Sequence, residues 1–592
     1  MFAVFAKVNF MEIRDRFSPS NEFSPKFEGF FLQMAMPELD QKATEIVTQA
    51  LGSNWNVKPI GDNLTEFEVT QQEDGLSVKE AWDKTYYLRS QPEVGDVQPL
   101  FAVPIADRWD WNQESTPEAG IERNIDDVSG DPEWNLKQLR VFEAWSRFFP
   151  DPNRPPGHGI IIGLPDTGYT EHPEIIPNLL VEKGYDFLKN DKDPKDELEK
   201  PKTVFLPAPS HGTYTSSLII SPKGAQGDYP SGKGVTGVAP GAKLIPLRVA
   251  YSVVLTSVRN LAEAIEYAAD NGVHVLSISM GTGLGNKRLR NAINYAQKRG
   301  IIVVAAAGNF VPYVVWPAAY KEVIAVTGCD ARGEIWKGSA RGSRVDVTAP
   351  CDSVWCAKTE KNNGEIKYDV EPGTGTSLCT PQVAGIAALW LSYHGRSQLI
   401  ERYGVENIPA IFHQILRDSC EKFPTWKPNE FGEGLVNAEK VLAAPLPDNV
   451  TTRAIAPAFT VEQHPSIDTR RLDTFAHLFE SQLSNSQLEA GEFLTVVRDN
   501  PRLRTCLAEL LQITETELPK RLQEVGQELA FYFATNPELY KQLAAVISSE
   551  KPLATELQTR SLTEPSKPSN LELMREMLLS QGVSEVLKTK LE

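Results

Sequence analysis

Between residues 258 and 307 the chain alternates between two hydrophobic periods. Val258, Leu261, Ala262, Ile265, Ala268 and Ala269 recur at helical spacing, and Gly272 stands where such a helix ends. Residues 273–279 then read as a strand. Leu289, Ala292, Ile293 and Ala296 repeat the helical stripe ahead of Gly300, and residues 301–307 form an apolar run that suits a strand buried on both faces. Strand–helix–strand repetition predicts an α/β domain with a parallel sheet covered by helices on both faces, assigned to residues 131–445.

Residues 37–105 carry a different pattern. Residues 43–51 read as helix, 54–60 and 65–71 as strands around the turn Gly61-Asp62-Asn63, 77–90 as helix and 97–105 as a last strand. The order αββαβ predicts a small α+β domain. Residues 1–36 read as an N-terminal extension, 106–130 as an acidic linker and 446–470 as a second linker. Residues 471–592 read as an all-α C-terminal domain of unassigned role. Its helix caps are expected at Ser484, Asn500-Pro501, Thr516 and Asn536-Pro537, with a Pro/Ser/Thr-rich linker over 551–570 and a last helix from 571 to 579.

A chain of 592 residues suits two to four domains, and its 41% hydrophobic and 23% charged content is that of a globular protein. The net charge of −18 disfavours binding to nucleic acid or to an anionic membrane surface, since both need a basic face. No uninterrupted apolar run of about 18 residues predicts a transmembrane helix. The first ten residues are interrupted by Lys7 and Asn9 and lack the flanks of a signal peptide, so a cytoplasmic location is expected. Six cysteines are too few for a disulfide scaffold. Cys351 and Cys356 form a lone C-x4-C pair without the four ligands zinc needs, so free thiols are expected.

Four short strings carry chemistry. Asp166-Thr167-Gly168 follows an apolar run over 160–164, which puts Asp166 at the C-terminal end of a strand. Asp-Thr-Gly also serves aspartic proteases, but those need two copies to share a proton, and this chain has one. His211-Gly212-Thr213 opens a stretch over 215–220 that reads as helix. The helix dipole disfavours a charged histidine there, and a buried carboxylate partner offsets this. Taken alone, this string also fits an exposed capping histidine; the other seven histidines read as structural or surface residues. Asn309 follows Ala307-Gly308, and its amide can donate to a developing oxyanion. A plain turn is the alternative there. Ser377 lies in Gly375-Thr376-Ser377-Leu378-Cys379-Thr380-Pro381, ahead of a helix expected over 380–392. Its N–H would supply a second oxyanion donor, and Pro381 is expected in that helix's first turn. The order Asp…His…Asn…Ser is more specific than any one string. The acidic loop over 186–199 holds Asp191, Asp193 and Asp196 at near-alternate spacing, which suits either a calcium ligand set or a solvated charged loop.

Together these strings resemble the subtilisin-like serine proteases, the subtilases, over roughly residues 131–445. The resemblance implies a subtilisin-like sheet and a catalytic triad of Asp166, His211 and Ser377, with Asn309 in the oxyanion hole. It implies that Ser279-Met280-Gly281 pairs with an extended substrate and that Ala307-Gly308 and Trp316-Pro317-Ala318 border the primary pocket. Trp134 to Trp145 looks like the start of the mature domain, and the string from Gly432 to Ala438 like its closing signature. The chain departs from the family pattern at Tyr214-Thr215 (usually His-Val), at Leu378-Cys379 (usually Met-Ala) and at Gln382 (usually His). Cys379, two residues from the nucleophile, is expected to make the site sensitive to thiol reagents. By position and pattern, residues 37–105 resemble the family's inhibitory propeptide, with processing expected within 106–130. The implied activity is a serine endopeptidase acting through an acyl-enzyme and made as a zymogen. A peptide ligase or macrocyclase on the same triad, or a latent peptide-binding protein, remains open. No cofactor is implied for the chemistry, with calcium as a structural candidate. The implied partners are a peptide or protein substrate and the chain's own N-terminal domain as an intramolecular inhibitor.

Overall fold

The chain divides into two compact units, residues 1–124 with 477–592, and residues 125–476. The computed structural model describes residues 25–36, 40–60, 63–71, 75–102, 130–447 (apart from 202–203, 205–206, 256, 283–284, 310–313, 363 and 424–425), 501–536, 539, 542–543 and 570–592. The helical assignment over 471–500, the cap at Ser484, residues 106–129 and 448–470 of the linkers, and the linker over 551–569 lie outside the described residues.

In the first unit, β1 (Lys26–Met34), α1 (Asp40–Leu51), β2 (Trp55–Ile60), β3 (Asn63–Gln71), α2 (Val78–Arg89) and β4 (Val94–Ala102) form an antiparallel sheet in the order β2-β3-β1-β4 with two helices. Here the domain boundary expected at residue 37 moves. β1 lies inside the supposed extension, yet it pairs with both β3 and β4. Its Phe27, Phe30, Leu32 and Met34 join the core with Ala43, Val47, Phe67, Val69, Ala81 and Leu88. Removing β1 would split the sheet. α2 starts at a capping box: Glu80 N donates to Ser77 Oγ at 3.3 Å, and Ser77 N donates back to the Glu80 carboxylate at 3.0 Å.

The second unit is built on a seven-stranded sheet. Its strands are β5 (Ile161–Asp166), β6 (Tyr185–Asp186), β7 (Lys243–Arg248), β8 (Val275–Ile278), β9 (Ile302–Ala306), β10 (Ile324–Cys329) and β11 (Val347–Pro350), in the order β11-β10-β9-β8-β5-β7-β6. All pairs are parallel. Period-two alternation feeds two cores. Ile302 and Val304 of β9 pack with Val383, Ala384, Ala387 and Leu391 on one face. Val303 and Ala305 pack with Leu261, Ile265, Leu289 and Ile293 on the other. The helices that cover the sheet are α3 (His211–Ile220), α4 (Arg259–Asp270), α5 (Lys287–Lys298), α6 (Thr376–His394) and α7 (Ile408–Asp418). A two-stranded hairpin, β12 (Val354–Asn362) with β13 (Glu365–Gly373), precedes α6.

α6 begins four residues earlier than expected, so Pro381 lies inside the helix rather than in its first turn. The cause is an external cap: the Asn309 side-chain oxygen accepts from Thr376 N at 2.9 Å. Pro381 has no N–H for the carbonyl four residues back, that of Ser377. That carbonyl is satisfied instead by the Ser279 hydroxyl at 2.9 Å.

The C-terminal part of the first unit contains α8 (Pro501–Leu510), α9 (Leu518–Thr535), α10 (Asn570–Ser580) and α11 (Glu585–Leu591). Leu503, Leu507, Val525, Leu529, Met574, Leu578, Leu587 and Leu591 are all buried. Among the described residues, no helix is long and apolar enough to cross a membrane.

Candidate active site

Asp166 is the last residue of β5, and His211 the first of α3. Their side chains meet at 2.8 Å, Asp166 Oδ1 to His211 Nδ1. Asp166 is fully buried, while the His211 side chain keeps 12% of its surface exposed. The geometry suits an imidazole anchored at one nitrogen with the other toward solvent. An ionised carboxylate only accepts, so Nδ1 carries the proton and Nε2 is left as the acceptor. Two further groups hold the carboxylate: Thr167 N at 2.7 Å and the Thr215 hydroxyl at 3.2 Å. Thr215 is one of the departures from the family pattern, and here the departure adds a hydrogen bond to the acid.

Two glycines let the acid loop and the base helix meet. A Cβ on Gly212 would lie 2.0 Å from Gly168 O. Gly168 itself has φ +103°, and a Cβ there would lie 2.5 Å from Pro194 O. The carboxylate of Asp196 fastens the same junction, accepting from Thr167 Oγ1 at 2.9 Å, Ser210 N at 2.7 Å and Leu198 N at 2.8 Å. Burial pushes its carboxyl up, against the pull of those hydrogen bonds.

The Asp196 carboxylate is thus already engaged by three donors of the protein. Asp191 turns its carboxylate to Asp193 N at 2.9 Å. Asp186, at the head of the loop, is paired with Arg248 at 2.9 Å, both fully buried. Among the described residues, no group of three or more His, Cys, Asp or Glu is arranged to hold a metal. Asp191 and Asp196 thus turn carboxylate oxygens to donors within the protein. Arg248 and Lys189 both supply positive charge against this loop, Arg248 to Asp186 and Lys189 to Glu197.

Ser377 is the second residue of α6, where a backbone N–H has no intrahelical partner. Its hydroxyl donates to Ser279 O at 3.3 Å. Asn309 follows β9 by three residues. Its Oδ1 accepts from both the N and Oγ1 of Thr376, at 2.9 and 2.8 Å, which leaves Nδ2 as the group able to donate outward. Two of the sequence strings thus meet at the start of α6 and the end of β9, and the other two pair the acid with the base.

The residues assigned to substrate binding divide. Ser279 and Met280 are buried, and Ser279 makes reciprocal bonds with Ser377. Gly281 is engaged within the chain: its N–H donates to Val253 O at 2.9 Å, and its carbonyl accepts from Leu255 N at 2.7 Å. Thr282 and Trp316 exchange backbone hydrogen bonds at 2.9 and 3.1 Å, which joins the residue after Gly281 to one of the expected pocket borders. Ala307 is fully buried, and its carbonyl accepts from Val315 N at 2.9 Å. Gly308 remains partly exposed.

The expected sensitivity through Cys379 does not hold. Cys379 is fully buried, its thiol donates to Thr376 O at 3.0 Å, and burial pushes the thiol far above its ordinary range. Cys351 and Cys356 are also buried free thiols. Gln382 replaces the family's histidine as a core linker, donating to Pro350 O at 2.8 Å and accepting from Asn135 at 3.0 Å. Burial lowers His172, His274 and His394 to about 4, so these rings stay neutral.

The profile of the subtilase family matches residues 157–413. The chain is 34% identical over 248 residues to a thermophilic serine proteinase of Bacillus sp. (strain AK1), covering 41% of this chain and 55% of the relative. It therefore spans about half the length of that relative. It is 32% identical over 255 residues to thermitase of Thermoactinomyces vulgaris, covering 42% of this chain and 81% of the relative. The solved structure of fervidolysin from Fervidobacterium pennivorans is similar at 22% identity and a TM-score of 0.49, covering 72% of this chain and 62% of that one. The chain belongs to the subtilase family, the subtilisin-like serine endopeptidases.

Proposed function

We propose that the chain hydrolyses peptide bonds through Ser377, His211 and Asp166 and that it is made as a zymogen. The observation that carries this reading is the buried 2.8 Å bond from Asp166 to His211 in a unit where Ser377 opens α6. The Ser377 hydroxyl leaves its long bond to Ser279 and passes its proton to His211 Nε2 as its oxygen attacks the scissile carbonyl. Asp166 holds the imidazole in one tautomer and stabilises the imidazolium. Asn309 Nδ2 and the Ser377 N–H receive the oxyanion. His211 then protonates the leaving amine, and water resolves the acyl-enzyme.

Latency has two supports. Residues 37–105, with β1 ahead of them, resemble an inhibitory propeptide by position, and processing is assigned to 106–130. In addition, the Gly281 edge is closed by Val253 and Leu255, so an extended substrate must displace that segment before it pairs there.

Intact mass of the wild type beside Ser377→Ala, followed over time with a peptide mixture, tests the reading. The wild type is expected to shed an N-terminal fragment and to yield peptides heavier by one water per cut; the variant does neither. Products joined to an amine instead of water would favour ligation. Equal processing in both chains would overturn the assignment.

A further inference from the structure

Helix α2 has two working faces. Ala81, Thr85 and Leu88 are buried on one. Lys79, Trp82, Asp83, Tyr86 and Arg89 recur at three- and four-residue steps on the other, and these meet the C-terminal helices. The Phe531 ring of α9 lies 4.6 Å from Phe101 of β4 and 6.0 Å from Trp82, centroid to centroid. Tyr86 OH donates to Glu528 Oε2 at 3.0 Å, and Arg89 donates to Gln527 Oε1. Glu585 N donates to Asp83 Oδ1 at 2.8 Å, and Lys79 pairs with the Glu585 carboxylate at 2.9 Å. Glu528 also accepts from Ser584 N and Oγ, at 2.7 and 2.6 Å, and Ser584 caps α11. One buried carboxylate thus ties α2, α9 and α11 together.

We infer that the C-terminal helices are the receptor for the N-terminal domain and hold it in a non-covalent complex that outlasts cleavage of the segment after β4. The contact has a buried aromatic centre (Trp82, Phe101, Phe531) and a charged rim (Lys79, Asp83, Arg89, Glu585), the anatomy of a stable interface. Trp82, Glu528 and Phe531 are 3%, 0% and 4% exposed. Separated halves would present these groups to water, which is the mark of partners that stay together. Cleavage after β4 removes the tether and its effective concentration of about millimolar, but it breaks none of these contacts. Processing alone therefore leaves the N-terminal domain attached. The consequence for activity rests on the inhibitory reading of that domain; the attachment does not.

The test uses the full chain with Ser377→Ala, a site for an exogenous protease inserted within 106–129, a second within 448–470, and an affinity tag at the C-terminus. After both cuts, capture through the tag is expected to retain the N-terminal fragment at close to one per C-terminal fragment. Phe531→Asp should lower that retention at least tenfold. Lys79→Glu, on the exposed rim, should lower it several-fold, and adding Glu585→Lys should restore most of it, a recovery that misfolding would not give. Loss of the N-terminal fragment from the unsubstituted chain, or equal retention in every variant, overturns the inference. The chain with Ser377 intact separates this from the reading of function. Retention with full peptidase activity would remove the inhibitory role and leave the attachment standing.

Discussion

Asp166 and Glu528 are both fully buried carboxylates held by hydrogen bonds from elements far apart in the chain. Asp166 faces a ring that can take up a proton and become a cation. Glu528 faces neutral donors: the Tyr86 hydroxyl, and the amide and hydroxyl of Ser584. The nearby charge is Asp83, which has the same sign, and Tyr532 lies on its own helix. Burial therefore pushes Glu528 up to about 7, with Asp83 adding to the shift and the three hydrogen bonds opposing it. The difference lies in the partner: a carboxylate paired with an imidazole can serve a reaction, while one among neutral donors becomes a pH-sensitive joint.

The comparison breaks most sharply at Asp166. Asp166→Asn keeps the shape but favours the wrong histidine tautomer, so kcat should fall about 10⁴-fold with the circular dichroism unchanged. A small loss would mean that His211 works without its carboxylate. Next, Asn309→Ala removes an oxyanion donor. Peptide kinetics should show kcat down by about 10²–10³ with KM nearly unchanged, and a loss confined to KM would reassign Asn309 to binding. Glu528 sharpens the other side. In the unfolded chain its carboxyl titrates near 4.5, and in the fold near 7. Between these values the unfolded chain loses its proton while the folded one keeps it, so the stability of the first unit falls as pH rises through that window, by up to about 3 kcal/mol. Glu528→Gln should flatten that part of the melting profile, and a profile identical to the wild type's would remove Glu528 as its cause. The smallest effect is expected at Thr215. Thr215→Val restores the residue usual in the family and deletes one hydrogen bond to Asp166, so kcat should drop about three- to tenfold with stability little changed.

Local signals carried the second unit. Asp166 sits at the strand end and His211 at the helix start that the pattern predicts, because period and caps are local properties. The start of α6 was not legible, since its cap is the side chain of Asn309, 67 residues away. Thr215 carried a signal that went unread: it lies four residues after His211 on one helix, so both fall on one face. Spacing leaves Asp196 open between a calcium ligand and a solvated loop residue, because it does not reveal that the carboxylate faces Ser210 and Thr167. β1 was missed because its partners lie in β3 and β4, and Gly29 interrupts its alternation at an irregular pairing. The joint between Tyr86 and Glu528 spans 442 residues of chain, and no periodicity reports such a contact.

The central claim is that Ser377 is a nucleophile activated by His211. Its most direct test is reaction of the processed chain with a serine-directed fluorophosphonate, followed by peptide mapping. The account predicts a single adduct, on Ser377, that disappears in His211→Ala. An adduct elsewhere, or labelling of Ser377 that His211→Ala leaves unchanged, would contradict it.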